Sequence, residues 1–284
     1  MTRIKRNLIP LIFLFPGFLG FMVFFIIPGA VSVYYSFLTK PVGGAFTGFT
    51  NYASLLASKS YTLGLTNTGF FMLVCLPLNM LFSLITALLV KNSGRCKAAF
   101  TLIFLAPLVI PSGGTVFFWK IMFNYNGFAN NVLNSLGGHK INWLESNTAR
   151  FVVTLIFIWK NLGYNMVLFL AGLGNIPKEY YDAAYVDGAG SAKAFFRITL
   201  PCLMPTLVLI TIMSVVNSFK VFKEIYMLMG DYPHESVYML QHFMNNNFLS
   251  LNYPRLTTAA TVLAVIVAAA TQGLFRAERK ISDG

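Results

Sequence analysis

Polar and aromatic side chains interrupt two long apolar segments of this sequence, residues 149–174 and 200–222. A polar group at the centre of an apolar helix is costly, about 2.5–3.5 kcal/mol for lysine in a bilayer. Asparagine amides can bond hydroxyl groups, and aromatic rings can stack on the faces of sugar rings. The pattern predicts a path for a hydroxylated solute. The residues predicted to line it are Trp159, Asn161, Tyr164, Asn165, Asn217, Phe219 and Phe222.

A structural explanation for the same residues stays open. Asn161 and Asn165 are four residues apart and share one helix face, where they could bond a neighbouring helix. Lys220 and Lys223 could extend along the second segment to reach the membrane surface.

Residues 175–201 form a polar interruption between these two apolar segments. Residues 178–187 predict one short helix, the glycines at 188 and 190 break it, and Ser191 could cap a second short helix. Such a segment is typical of a surface that meets a partner, although an interfacial helix without a partner would have similar composition.

No catalytic constellation accompanies these residues. The sequence lacks the Gly-x-x-x-x-Gly-Lys-Ser/Thr phosphate-binding loop. His139, His234 and His242 have no metal-ligand spacing, and we expect them to be solvated loop residues. The chain is therefore not expected to be an enzyme itself.

Composition places the chain in a membrane. Apolar residues make up 56% of the 284 and charged residues only 11%, whereas soluble domains carry about 25% charged residues. The net charge of +12 could indicate nucleic-acid binding, but the basic residues occur in short groups beside apolar runs. That distribution favours topology determinants.

The apolar runs predict an all-α membrane protein with six transmembrane helices. Their approximate ranges are 9–37, 68–90, 98–122, 149–174, 200–222 and 256–275. Basic residues cluster at alternate span ends, including both termini and the 175–199 loop. The positive-inside rule therefore predicts that these parts face the cytoplasm.

The polar loop carries a specific resemblance. Asp182-Ala183-Ala184, then Gly188 after three residues, Ile198 after nine more, and Leu200-Pro201 match the cytoplasmic loop of binding-protein-dependent ABC importer permeases. The family usually has Glu where this chain has Asp182, so the docking role is expected to persist better than any particular acid contact.

Residues outside the loop extend this resemblance over nearly the whole chain. Gly48-Phe-Thr-Asn51-Tyr52 and the segment from Ile176 to Tyr180 resemble the carbohydrate branch, and 243–248 resembles the first of its two paired permease subunits.

The resemblance implies a type I ABC importer permease fold, in which the loop forms a cytoplasmic coupling helix that docks on an ATPase. The residues implied in this coupling are Glu179, Asp182, Ala183, Ala184, Asp187 and Gly188. Residues 1–67 would comprise the N-terminal segment, first span and outer loop. Residues 68–284 would form a five-helix permease core with the coupling loop at 175–201.

The implied partners are a second permease subunit in a heterodimer, a cytoplasmic ATPase dimer and an extracytoplasmic solute-binding protein. ATP and Mg²⁺ would bind the ATPase, so no cofactor is expected in this chain. The implied location is the bacterial cytoplasmic membrane, and the implied cargo is a monosaccharide or oligosaccharide.

Two alternatives remain open at this stage. The loop motif indicates coupling to an ATPase and does not indicate which solute is carried, so a polyol or a glycerol phosphate compound could be carried instead. A self-sufficient secondary transporter is a further alternative, although no internal inverted repeat of the kind common in that class is visible.

Overall fold

The computed structural model describes residues 13–282, with side chains through Arg276. This part of the chain is helical, apart from turns, loops and an isolated antiparallel bridge between Leu38 and Phe46. The described residues fall into two compact units. One comprises the residues through Thr62 together with Met244–Ala268, and the other comprises Leu63–Phe243 with the residues from Ala269 onward. The division predicted between residues 67 and 68 stays a prediction.

We number twelve helices in chain order. They are α1 Phe13–Tyr35, α2 Thr50–Leu56, α3 Lys59–Lys91, α4 Lys97–Val109, α5 Ser112–Phe123, α6 Phe128–Ser135, α7 Ala149–Gly174, α8 Lys178–Val186, α9 Ser191–Ala194, α10 Met204–Met229, α11 Leu240–Leu249 and α12 Tyr253–Ser282.

Five helices in the described part are long and apolar enough to cross a membrane: α1, α3, α7, α10 and α12. Residues 9–12 of the predicted first span lie outside the described residues. Within α1 a π-helical turn at Met22–Ile26 is followed by Ile27 and Pro28. Because proline lacks an N–H group and crowds the preceding turn, a local departure from α-helical bonding is expected there.

The predicted third span, 98–122, is not one straight helix. The segments Gly94–Val109 and Ser112–Ser135 are together long and apolar enough to cross a membrane, but they are bent by 95° at the break between them. Ile110 and Pro111 have extended backbones, with ψ of 124° and 147°. A residue before proline disfavours the helical region, and proline cannot donate a helical hydrogen bond. The bent pair is thus the sixth candidate span.

The fifth predicted span also differs in its bounds. We expected residues 200–222, but α10 runs from Met204 to Met229. Its last turns contain Lys220, Lys223 and Glu224, which composition alone would assign to the end of a span. Glu224 is buried and pairs with Lys160 of α7, so the charged turns remain helical within the packed bundle.

In the unit that contains α1, a polar cluster holds the loop after the helix. The Asn51 side-chain amide donates to the carbonyl oxygens of Ser36 and Leu38, each at 2.9 Å. The Ser36 hydroxyl lies 2.6 Å from the Tyr52 hydroxyl. Asn51 and Tyr52 belong to the motif that suggested the carbohydrate branch, and their contacts give that motif a structural reason.

In the unit that contains α7, the helices pack closely at a glycine. A Cβ atom on Gly163 would lie 1.9 Å from the Phe104 carbonyl oxygen. Only a residue without a side chain lets α4 and α7 approach this closely. This crossing fixes α7 beside α4, just before the break at Ile110.

Candidate functional site: a charged cavity and a docking helix

A cavity of about 120 Å³ lies among α4, α7 and α10. Its lining comprises Leu108, Ile156, Phe157, Lys160, Asn161, Asn217, Lys220, Val221 and Glu224. The predicted path residues Asn161 and Asn217 are therefore brought together on one cavity. Their role in transport stays a prediction.

A buried ion pair forms one wall of this cavity. Lys160 of α7 contacts Glu224 of α10, and the exposed fractions of their side chains are 22% and 7%. Ser112, the first residue of α5, donates a second hydrogen bond to the same carboxylate at 3.1 Å. Glu224 of α10 thus contacts α7 through Lys160 and α5 through Ser112, the residue that follows Pro111.

A further polar contact between α7 and α10 lies five residues from Lys160 on α7 and ten residues from Glu224 on α10. The Asn165 side-chain amide donates to the Ser214 hydroxyl at 3.2 Å, while the Asn165 Oδ1 atom is buried without a hydrogen-bond partner. Interhelical hydrogen bonding, the structural alternative for the asparagines, therefore describes Asn165 better than Asn161.

The predicted aromatic residues do not line the cavity. Trp159 packs against Phe118 and Trp119 with ring centroids 6.1 and 5.5 Å apart. Phe222 packs edge-to-face on His242 at 4.8 Å. Tyr164 and Phe219 are partly buried and also lie outside the cavity lining.

His242 differs from the solvated residue that we expected. It is fully buried beside Phe222, and its Nδ1 atom accepts a hydrogen bond from the Met239 N–H group at 3.1 Å. Burial lowers the pKa of His242 from 6.5 to about 4, although the negative charge of Asp231 acts in the opposite direction. This histidine is therefore a neutral packing residue near pH 7.

The predicted docking segment forms α8 and an exposed turn after it. Glu179, Asp182, Ala183 and Asp187 are exposed, and Ala184 is partly exposed. No carboxylate of this segment forms an ion pair among the described residues. The acids are thus presented to solvent on one short helix.

Gly188 ends α8 in a left-handed conformation with φ of +74°. The Ala189 N–H group donates to Ala184 and the Gly188 N–H group to Tyr185, at 2.8 and 3.1 Å. These two bonds form a Schellman motif, which satisfies the last carbonyl groups of a helix and favours glycine at this position. The positive φ that this turn requires therefore explains the glycine in the family pattern.

Two contacts tie α8 to the rest of its unit. The Tyr181 hydroxyl lies 2.9 Å from the Thr199 hydroxyl, just before α10. Lys91 at the end of α3 lies 6.0 Å from the centre of the Tyr181 ring and donates to the Leu173 carbonyl at 3.3 Å. A displacement of α8 would therefore act on the ends of α3 and α7 and on the segment that leads into α10, all of which are predicted to lie on the cytoplasmic side.

Ser191 does not cap α9 as we expected. Gly190 occupies the N-cap position with an extended backbone, and no side chain accepts the free N–H groups. Beyond α9 the chain continues through a π-helical segment, Phe195–Thr199, to Leu200–Cys202.

Sequence reasoning missed Glu224, Ser112 and Tyr181. The sequence did contain a signal for Glu224. Lys160 lies near the middle of an apolar segment, and a charged residue there usually pairs with an oppositely charged residue of another span. Nothing comparable marks Ser112 or Tyr181, whose partners are distant in sequence. No group of three or more His, Cys, Asp or Glu side chains suited to a metal ion occurs in the described residues.

The chain belongs to the family described as the inner membrane component of binding-protein-dependent transport systems, which matches residues 70–277. It is thus a membrane-embedded transport permease component.

Three comparisons add detail. The chain is 31% identical to the probable ABC transporter permease protein YesP of Bacillus subtilis, over 96% of this chain and 91% of that protein. It is 33% identical to the sulfoquinovosyl glycerol transport system permease protein SmoG of Agrobacterium fabrum, over 87% and 83%. The structure of a bacterial alginate ABC transporter in complex with an alginate pentasaccharide-bound periplasmic protein superposes with a TM-score of 0.84 at 21% identity, covering 98% of this chain and 96% of that chain.

The last comparison concerns the fold, which is confirmed as that of a type I ABC importer permease. The family assignment and the long apolar helices also confirm a multi-pass membrane protein.

Proposed function

We propose that this chain is one of two permease subunits in an ATP-driven importer, and that the pair translocates a carbohydrate into the cytoplasm. A separate ATPase dimer would supply the energy, and an extracytoplasmic binding protein would deliver the solute. Both termini and α8 would face the cytoplasm of a bacterial cell.

The geometry of α8 carries the ATP-driven part of this proposal. An exposed acidic helix ends in a Schellman turn at Gly188, and Tyr181 connects it to the segment that leads into α10. Such a helix can dock on a partner and transmit a rigid-body displacement to the spans. Uncoupled transport would need no such element.

The carbohydrate part rests on other support. SmoG is 33% identical over most of the chain and is named for a sulfoquinovosyl glycerol, which is a sugar derivative. Amide groups of Asn161 and Asn217 on one cavity suit the hydroxyl groups of a sugar.

Transport by the assembled complex in proteoliposomes tests the ATP coupling. In Gly188→Val a β-branched residue must adopt φ of +74°, which costs about 1–2 kcal/mol. Because α8 would end differently, we expect ATP-driven uptake to fall about 5–30-fold. If the altered α8 docks less well, the purified complex should also contain less ATPase than the wild-type complex.

Gly190→Ala is the matched control, since Gly190 lies two residues away with negative φ and open space around its Cα atom. We expect uptake within about twofold of wild type. Uptake by Gly188→Val at the wild-type rate would remove α8 from the coupling path. Uptake that proceeds without ATP would instead identify a secondary transporter.

A further inference from the structure

We propose that the cavity among α4, α7 and α10 binds a negatively charged group of the cargo. The transported solute would then be an acidic carbohydrate that carries a carboxylate, sulfonate or phosphate. This inference rests on the proposed function and adds the chemical class of its substrate.

The cavity lies near the middle of a spanning helix. Lys160 is eleven residues after the start of α7 and fourteen before its end, which places it about 17 and 21 Å from the two ends at about 1.5 Å per residue. Its partner Glu224 lies five residues, about 8 Å, before the end of α10, and Lys220 is one turn earlier on that helix.

The formal charges on the cavity do not cancel. Two lysines, Lys160 and Lys220, line it together with one acid, Glu224. Glu224 already pairs with Lys160 and accepts from Ser112. Lys220 contacts the neutral Asn217 amide oxygen at 3.0 Å and has no carboxylate in ion-pair contact within the described residues. The charge of Lys220, an exposed side chain, is thus not neutralised by a carboxylate among the described residues.

The Lys220 side chain is directed along α10 towards Asn217, which lines the same cavity, and away from the Met229 end. That end is nine residues further, about 14 Å along the helix. The Lys220 side chain is exposed in the described chain and lies where an anion in the cavity can contact it.

The amides of the cavity suit one part of the solute, a hydroxyl group next to its anionic group. Asn161 uses its N–H₂ group on the Phe157 carbonyl, which leaves its Oδ1 atom to accept from such a hydroxyl.

Uptake of matched sugars by the assembled transporter in proteoliposomes tests the inference. The probes are a neutral disaccharide, the same disaccharide with a C6 carboxylate, and the same disaccharide with a 6-phosphate. We expect the wild type to import an acidic form in preference to the neutral one. Comparison of the carboxylate and phosphate probes then identifies which anion is accepted.

Two substitutions on α10 separate the cavity from general charge effects. Lys220→Gln is expected to lower uptake of the acidic probe about tenfold, because a charge-assisted hydrogen bond is lost. Lys220→Arg, which keeps the charge, should retain most of it. Lys223→Gln removes the same charge three residues away but outside the cavity lining, and should change uptake by less than about twofold.

The outcomes are distinguishable. Import of the neutral probe without the acidic forms would overturn the inference and leave the proposed function intact. Equal losses for acidic and neutral probes in Lys220→Gln, or no loss at all, would overturn it as well. A wild-type transporter that imports none of the three probes, while it does import a solute that is not a carbohydrate, would overturn the proposed function and the inference together.

Discussion

At the scale of single residues, the pair of Lys160 and Glu224 decides how α7 and α10 meet. A buried ion pair contributes less than its Coulomb attraction suggests, because both charges lose hydration. Removal of one partner is nevertheless costly, since the other charge is left buried without compensation. Ser112 raises this cost for Glu224, because its hydrogen bond is directed at the same carboxylate.

We therefore predict that Glu224→Gln and Lys160→Gln each lower the thermal stability of the purified complex, by about 3–5 kcal/mol at most. The double substitution should be less destabilised than the sum of the two single ones, because no uncompensated charge remains. Thermal unfolding of the detergent-solubilised complex measures all three. Additive losses in the double variant would show that the two side chains do not interact.

At the scale of elements, glycine positions determine which helices can approach each other and where helices end. Gly188 has the left-handed backbone that closes α8, whereas Gly163 lies where α4 crosses α7. These two glycines serve different physical needs, one for backbone conformation and the other for space. Substitution should therefore impair different properties of the transporter.

For Gly163→Ala we predict a loss of assembled protein. The added Cβ atom would clash with backbone atoms of Phe104, which cannot move aside as a flexible side chain can. Overpacking of this kind costs about 1–3 kcal/mol. The amount of monodisperse complex in size-exclusion chromatography, normalised to membrane expression, is the measurement.

Gly174→Ala is the control for this prediction. Gly174 ends the same helix, and an added Cβ atom there meets open space. Its yield of complex should match that of the wild type. If Gly163→Ala gave the same yield, the close approach of α4 and α7 would not be required for assembly.

At the scale of the whole molecule, the distribution of charge predicts the orientation of the chain in the membrane. There are 21 lysines and arginines against 9 acids. Clusters of basic residues lie at the predicted cytoplasmic ends of the spans, for example Lys91, Arg95 and Lys97 before α4, whereas those in the opposite loops are scattered. Positively charged loops are retained on the cytoplasmic side during insertion.

This distribution predicts the outcome of topology mapping. Alkaline phosphatase inserted after Gly137, in the loop that follows α6, should be active if that loop faces outward as proposed. The same enzyme inserted after Ala189, between α8 and α9, should be inactive. A green fluorescent protein inserted at each site should give the reverse result, and phosphatase activity at the second site would contradict the proposed orientation.

Several features were accessible from sequence because they depend on local composition. Apolar runs of about 20 residues indicate membrane spans whatever their packing, and the spacing from Asp182 to Pro201 indicates the family to which the chain belongs. The left-handed turn at Gly188 follows from the same local rules, because few other residues adopt positive φ at low cost.

Other features depended on partners that are distant in sequence. The exact ends of α10, the bend at Ile110–Pro111 and the aromatic packing of Trp159 all differ from, or go beyond, what hydropathy predicts. Each depends on helix rotation and on the neighbour across the contact, which no single segment encodes.

The sequence by itself determined that this is a multi-span permease with a polar loop in the spacing of its family, since hydrophobicity, charge clusters and a spaced motif are properties of local segments. Only the tertiary structure decided that Lys160 pairs with Glu224 and that Lys220 is left facing a cavity. Those residues are far apart along the chain, and the rotation and depth of two packed helices determine which charges meet.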